Sequence, residues 1–210
     1  MKVAVLISGH LRCGLDNFDK NLNFYIKDIN PDIYVHTYDN QDNDSLVKLY
    51  NPVEMVVESD NINYLSEEVS DYSKYMFNQA GETNIFNTLN MWRKRYEVSK
   101  LVNKTYDRVF YTRFDCYSLK SIKEFLINDG LIVPQGGDYR GGLLDLCALG
   151  SQEIMNYYCA LYTKVNEYFY SGTRFHPETM LRRHIENKSI PITRIDMEVM
   201  LKGVLFTHYR

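Results

Sequence analysis

At 210 residues the chain is long enough for one sizeable hydrophobic core and short for two. Hydrophobic residues at 45% and charged residues at 24% are ordinary globular usage, which excludes a disordered chain. A net charge of −3 without a run of five or six like charges argues against a basic face of the kind that binds nucleic acid or an anionic membrane surface.

Lys2–Ser8 is a continuous apolar run rich in β-branched residues, which predicts a central strand buried on both faces. Its apolar part is too short for a signal segment, and no stretch approaches a membrane span, so the expectation is a cytoplasmic protein without a membrane span. After Gly9, the apolar positions Leu15, Phe18, Leu22, Tyr25, Ile26 and Ile29 follow helical spacing. Pro31 ends that helix and Asp32–Tyr38 reads as a second strand. A polar turn and a short helix lead past Pro52 to a third strand, Val53–Glu58. This alternation predicts an α/β fold, a mostly parallel mixed sheet flanked by helices.

Residues 59–83 are polar and Tyr-rich and read as a loop with a helical turn or two. Asn84–Asn103 is the clearest helix, with Ile85, Leu89, Trp92, Tyr96 and Val102 on one side; Arg93 or Arg95 is placed to reach a diphosphate, but Lys94 beside them suggests a solvated face. Arg108–Asp115 is strand-like, Ser121–Asn128 a short helix and Leu131–Pro134 a strand. Gln135–Gly142 is glycine-rich, a candidate mobile loop. Leu143–Gly150 predicts a strand, Ser151–Tyr170 a helix and His176–Asn187 a helix opened by Pro177. The tail Ile192–Tyr209 supplies one or two last strands. Cys13, Cys116, Cys147 and Cys159 lack metal-type spacing and read as free, mostly buried thiols.

Open parallel sheets bind ligands at the carboxyl ends of their strands, where strand order reverses. That rule selects Ser8, Gly9, His10 and Arg12 after the first strand, Asp39 after the second, Glu58 after the third, and Arg113 with Asp115. No P-loop pattern is present, and no Gly-x-Gly-x-x-Gly follows the first strand, so P-loop kinases and dinucleotide oxidoreductases are disfavoured. In Ser8-Gly9-His10-Leu11-Arg12, Gly9 permits close backbone approach and Arg12 suits a diphosphate. Strand alternation puts Arg113 and Asp115 on one side, and a carboxylate there suits either a hard divalent cation or an internal ion pair.

This layout resembles the GT-A glycosyltransferases: a Rossmann-like nucleotide-binding half, a strand ending in a short acidic motif, then an acceptor half. Arg113-Phe114-Asp115 stands where the family usually has Asp-x-Asp, so the first carboxylate is missing; it is similar to the Arg-x-Asp variant of some polysaccharide and virus-encoded transferases. The resemblance implies one GT-A-like domain over 1–210, with nucleotide binding in about 1–115 and the acceptor in about 116–210. It implies transfer of a hexose or deoxyhexose from a nucleoside-diphosphate sugar, UDP by preference, to a glycan or glycoprotein hydroxyl. Mn²⁺ or Mg²⁺ would assist on Asp115, with His208 as a further ligand. Ser8, Gly9, His10, Arg12 and Arg113 would contact the donor, and Asp39 would read the uracil ring.

Pro177-Glu178-Thr179-Met180-Leu181-Arg182 is similar to the family's acidic helix start, which makes Glu178 the expected general base. Its anion would be favoured by the helix dipole. Asp145 is the runner-up for base or acceptor binding. His176 and His184 read as solvent-facing or capping. The chain is short for a complete transferase and fits one part of a longer protein. Two alternatives stay open: a catalytically inactive GT-A domain that binds nucleotide or glycan, and a sugar nucleotidyltransferase.

Overall fold

A computed structural model describes residues 1–16, 18–21, 28–59, 84–201 and 204–205. The first apolar run forms strand β1 (Val3–Ser8), with all six residues buried. Alternation splits it between two cores: Ala4 and Leu6 join Tyr34, Leu89, Trp92 and Tyr111, while Val3, Val5 and Ile7 join Val35, Leu46 and Phe110. Each such aliphatic side chain contributes about 1.5–3 kcal/mol by leaving water, so this strand is an anchor for both layers.

Helix α1 (Phe18–Asn21) is the helical part described within the helix expected over Leu15–Ile29; residues 17 and 22–27 lie outside the described residues. Strand β2 (Asp32–Tyr38) follows. Helix α2 (Asn43–Tyr50) is capped by Asp42, which accepts from the Ser45 amide, and it leads into strand β3 (Glu54–Glu58). Apart from Ser59, the Tyr-rich segment expected over 59–83 lies outside the described residues. Helix α3 (Ile85–Lys100) begins where the Asn84 side chain accepts from the Asn87 amide.

Strand β4 spans Arg108–Thr112, three residues short of the strand expected to end at Asp115. The Cys116 amide donates to the Arg113 carbonyl at 3.2 Å, so residues 113–116 are a turn. A short strand β5 (Cys116–Ser118) that periodicity did not suggest comes next. A 3₁₀ turn (Ile122–Phe125) and strand β6 (Leu131–Pro134) follow. Strand β7 is only Ala148–Gly150. The long helix expected over Ser151–Tyr170 is broken into α4 (Gln152–Cys159), a 3₁₀ stretch and α5 (Val165–Tyr170). Helix α6 (Pro177–Asn187) precedes strands β8 (Ile192–Ile195), β9 (Val199–Leu201) and β10 (Val204–Leu205).

The main sheet has seven strands in the order β3-β2-β1-β4-β7-β6-β8, and β10-β9-β5 form a small second sheet. Pairing is parallel from β3 through β4 and between β6 and β8; β7 alone in this sheet runs antiparallel to its neighbours. The chain is thus an α/β fold with a mostly parallel mixed sheet. Chain order reverses at β1, whose neighbours are β2 on one side and β4 on the other, so a crevice opens beyond the carboxyl ends of β1 and β4. Among the described residues no helix is long and apolar enough to cross a membrane. All four cysteines are free, three of them buried.

Candidate active site

At the end of β1, Gly9 has φ 109°, a conformation that L side chains rarely adopt, and its amide donates to the His36 carbonyl at 3.1 Å. The chain folds back at Arg12, which is itself left-handed with φ 46°. At the end of β4 the 113–116 turn brings Arg113 back over Asp115: Arg113 Nε donates to Oδ1 and Nη2 to Oδ2, each at 2.9 Å. Arg12 Nη1 also donates to Asp115 Oδ2. Asp115 is 1% exposed. Burial alone would raise its pKa, but the two guanidinium groups overcome this and hold it below the ordinary carboxylate value.

A cleft of about 290 Å³ opens here, between the ends of β1, β2 and β4 and the start of α3. Ser8, Gly9, His10, Arg12, Arg113 and Asp115, all expected site residues, line it together. Ser8 Oγ lies 3.2 Å from the Tyr111 hydroxyl. Asp39 does not line the cleft; it sits exposed just past β2, its amide donating to the Glu58 carbonyl at 2.9 Å.

The opposite wall holds residues that the sequence reading misplaced. Arg93, Lys94 and Arg95 are buried, not solvated. Lys94 lines the cleft, pairs with Glu58, lies 3.6 Å from the centroid of the Tyr38 ring and 3.3 Å from His36 Nδ1. Arg93 also pairs with Glu58. Burial first, and the Lys94 charge second, lower the His36 pKa to about 4, so this imidazole is neutral at pH 7. His10 stacks on Tyr38 with ring centroids 4.1 Å apart and planes 24° apart. Tyr38 is therefore engaged by an imidazole and a cation, and its hydroxyl accepts from Asn90.

Arg95, wholly buried, donates to the Tyr158 hydroxyl at 3.1 Å and stands within the field of Asp145. Asp145 Oδ2 is buried without a hydrogen-bond partner. Asp145 also acts electrostatically on Arg113 and on Glu178, which links the cleft to the start of α6. There Pro177 lines the cleft and the next residue is Glu178. The expected dipole-favoured anion is overturned: burial, then the charges of Asp145 and Asp138, push Glu178 up to about 8. His176 occupies the N-cap position without a capping bond, its Nδ1 3.1 Å from Glu178 Oε2.

His184, expected at the surface, is buried. Its Nε2 faces the Tyr157 carbonyl at 2.7 Å, which requires the proton there, so Nδ1 accepts from the Tyr168 hydroxyl at 3.0 Å. Burial first lowers its pKa, to about 4. The glycine-rich segment 135–142 is pinned rather than free. Asp138 pairs with Arg194 at 2.6 Å, and the Gly142 carbonyl accepts from Arg182 at 3.1 Å. A Cβ on Gly142 would fall 2.2 Å from the Glu178 carbonyl carbon, so only glycine lets this loop touch the start of α6.

The donor set does not fit a divalent cation. Among the described residues Asp115 is the only carboxylate lining the cleft, and both its oxygens already accept guanidinium N–H groups. Among the described residues no three His, Cys, Asp or Glu side chains converge as a metal site would need. His208, the other expected ligand, lies outside the described residues.

No family model and no curated protein matches the chain. Among solved structures, the apo form of the glycosyltransferase GlyE from Streptococcus pneumoniae TIGR4 is similar, with a TM-score of 0.54 and 12% identity. A second structure of that GlyE is similar with a TM-score of 0.51 and 13% identity. Each comparison covers 93% of this chain but 45% of the other, so the chain spans less than half the length of those proteins. The likeness is one of fold alone: a Rossmann-like α/β fold with a mostly parallel mixed sheet.

Proposed function

We propose that the chain is a GT-A-type glycosyltransferase domain that moves a sugar from a nucleoside diphosphate, UDP by preference, to a hydroxyl of a glycan or glycan-bearing protein. One observation carries this reading. A cleft at the reversal point of the sheet is lined by Arg12, Arg113 and Lys94, and Glu178, an acid with raised proton affinity, is the chain neighbour of Pro177, which lines the cleft where Glu178 itself does not. On this reading residues 1–115 bind the nucleotide and residues 116–210 face the acceptor.

In the reaction, the bond from the anomeric carbon to the diphosphate oxygen breaks and its electron pair leaves with the diphosphate. Arg12 and Arg113 neutralise the developing charge, donors already in place as the bond lengthens. The acceptor oxygen bonds to the anomeric carbon and gives its proton to Glu178. With a pKa of about 8, raised in part by Asp145, Glu178 is mostly protonated at neutrality, so the step runs through its ionised fraction and its rate rises with pH towards 8. The stacked His10 and Tyr38 rings offer a flat surface beside which a uracil ring fits. No step is assigned to a divalent cation, because both Asp115 oxygens are engaged.

The same engagement of Asp115 favours a second reading, a domain that binds nucleotide or glycan without turnover. Calorimetric titration with UDP and UDP-sugars, followed by assays of donor hydrolysis and transfer, separates the two. Binding with turnover supports the transferase and binding without turnover supports the second reading. No binding of any nucleotide refutes both.

A further inference from the structure

The cleft's charge is unusual for a site meant to hold a metal ion. Among the described residues, three basic side chains, Arg12, Arg113 and Lys94, line it against one carboxylate, Asp115. That carboxylate receives a bidentate guanidinium from Arg113 and a further donor from Arg12. It is buried beneath them, so an ion could reach it only by displacing an arginine. Such displacement would leave Arg113, whose side chain is only 20% exposed, without its anion.

The three cations are held differently. Arg113 is fixed in the 113–116 turn by both its bonds to Asp115. Arg12 is 41% exposed in its side chain, at the mouth of the cleft. Lys94 is 1% exposed, with Glu58 paired to its ammonium group and the Tyr38 ring 3.6 Å away. A cation buried at the wall of an open cleft, with its counter-ion behind it, presents positive charge to whatever enters.

Resting on the nucleotide-sugar reading, we propose that Arg12, Arg113 and Lys94 together bind the diphosphate without any divalent cation. Asp115 is a positioning residue that aims the two guanidinium groups and does not touch the ligand. The constellation supplies by protein cations the charge that a metal ion supplies in a site with two or three carboxylates. A diphosphate carries enough negative charge to meet the positive charge of the cleft and to draw Arg12 inward from Asp115.

The test is calorimetric titration of the whole chain with UDP and with uridine, in excess EDTA and again with Mn²⁺ or Mg²⁺. The expected result is UDP binding in EDTA, with a Kd that changes less than about threefold when either cation is added. Arg12→Gln, a change at an exposed side chain, should weaken UDP about tenfold or more and leave uridine unchanged. Asp115→Asn should likewise weaken UDP but not uridine, a split that mere loss of stability would not produce. Lys94→Met, checked for folding by circular dichroism, should weaken UDP to a similar extent. UDP binding that requires Mn²⁺ or Mg²⁺ would overturn this inference while leaving the nucleotide-sugar reading intact. Wild-type UDP affinity in Arg12→Gln would overturn it too. No UDP binding under any condition would overturn both.

Discussion

Replacing Glu178 by Gln should make the protein more stable in alkali and less active everywhere. Moving this carboxyl from its ordinary value of 4.5 to about 8 means the folded state resists its ionisation, at about 1.36 kcal/mol per tenfold change in proton affinity. The sign follows from which state holds the proton. Between pH 4.5 and 8 the folded chain keeps it and the unfolded chain has lost it, so wild-type stability falls as pH rises through that window. From pH 5 to pH 9 the loss amounts to roughly 4 kcal/mol, and the neutral amide does not suffer it. For a chain of this size that is on the order of 10 °C in Tm. Scanning calorimetry of both proteins at pH 5, 7 and 9 should show Tm curves that diverge with pH, the variant above. Transfer should drop by about 10²–10⁴ if the same carboxylate is the base. Parallel Tm curves would refute the burial argument, and full activity would remove the base assignment.

Three further outcomes follow from the same region. Asp145→Asn removes a charge that raises the Glu178 pKa, so the ascending limb of the pH–rate profile should move to lower pH; an unmoved limb would uncouple the two acids. Gly142→Ala forces a Cβ into the backbone of Glu178, which no rotamer change relieves, and should cost about 2–4 kcal/mol in denaturant melts while lowering turnover. In the Glu178→Gln background, stability should fall from pH 7 to pH 5 by about 2 kcal/mol for each of His36 and His184, since the unfolded chain takes up protons that the folded chain resists until about 4. A urea midpoint independent of pH across that range would contradict the burial of both imidazoles.

The strands with continuous apolar runs, β1, β2 and β6, were legible because burial on both faces leaves only that pattern. The proximity of Arg113 and Asp115 has a different cause from the one their spacing suggests. Alternation along a strand was to bring Arg113 beside Asp115, but β4 stops at Thr112 and a turn does so instead. Lys94 was missed because three consecutive cations look solvated when a helix is imagined with one buried side. Helix α3 is covered on several sides, and the groups that accept its charges, Glu58, Tyr158 and Asp145, are distant in sequence. No local period reports them. Glu178 lies in the first turn of a helix, as expected, but its charge state is the opposite of the one the dipole alone implies. The helix dipole favours an anion by about 0.3–1 kcal/mol at an exposed site, and burial beside Asp145 outweighs it.

The order of strands also bears on how the chain is made. Strand β1 is complete by Ser8, and β2 follows by Tyr38, but its other neighbour begins at Arg108. The bond from the Lys2 amide to Asp107 spans 105 positions. On a ribosome adding about 5–20 residues per second, the most apolar strand waits on the order of 5–20 s before β4 can cover its second edge. Through that interval an unpaired row of amides and carbonyls is open to other strands.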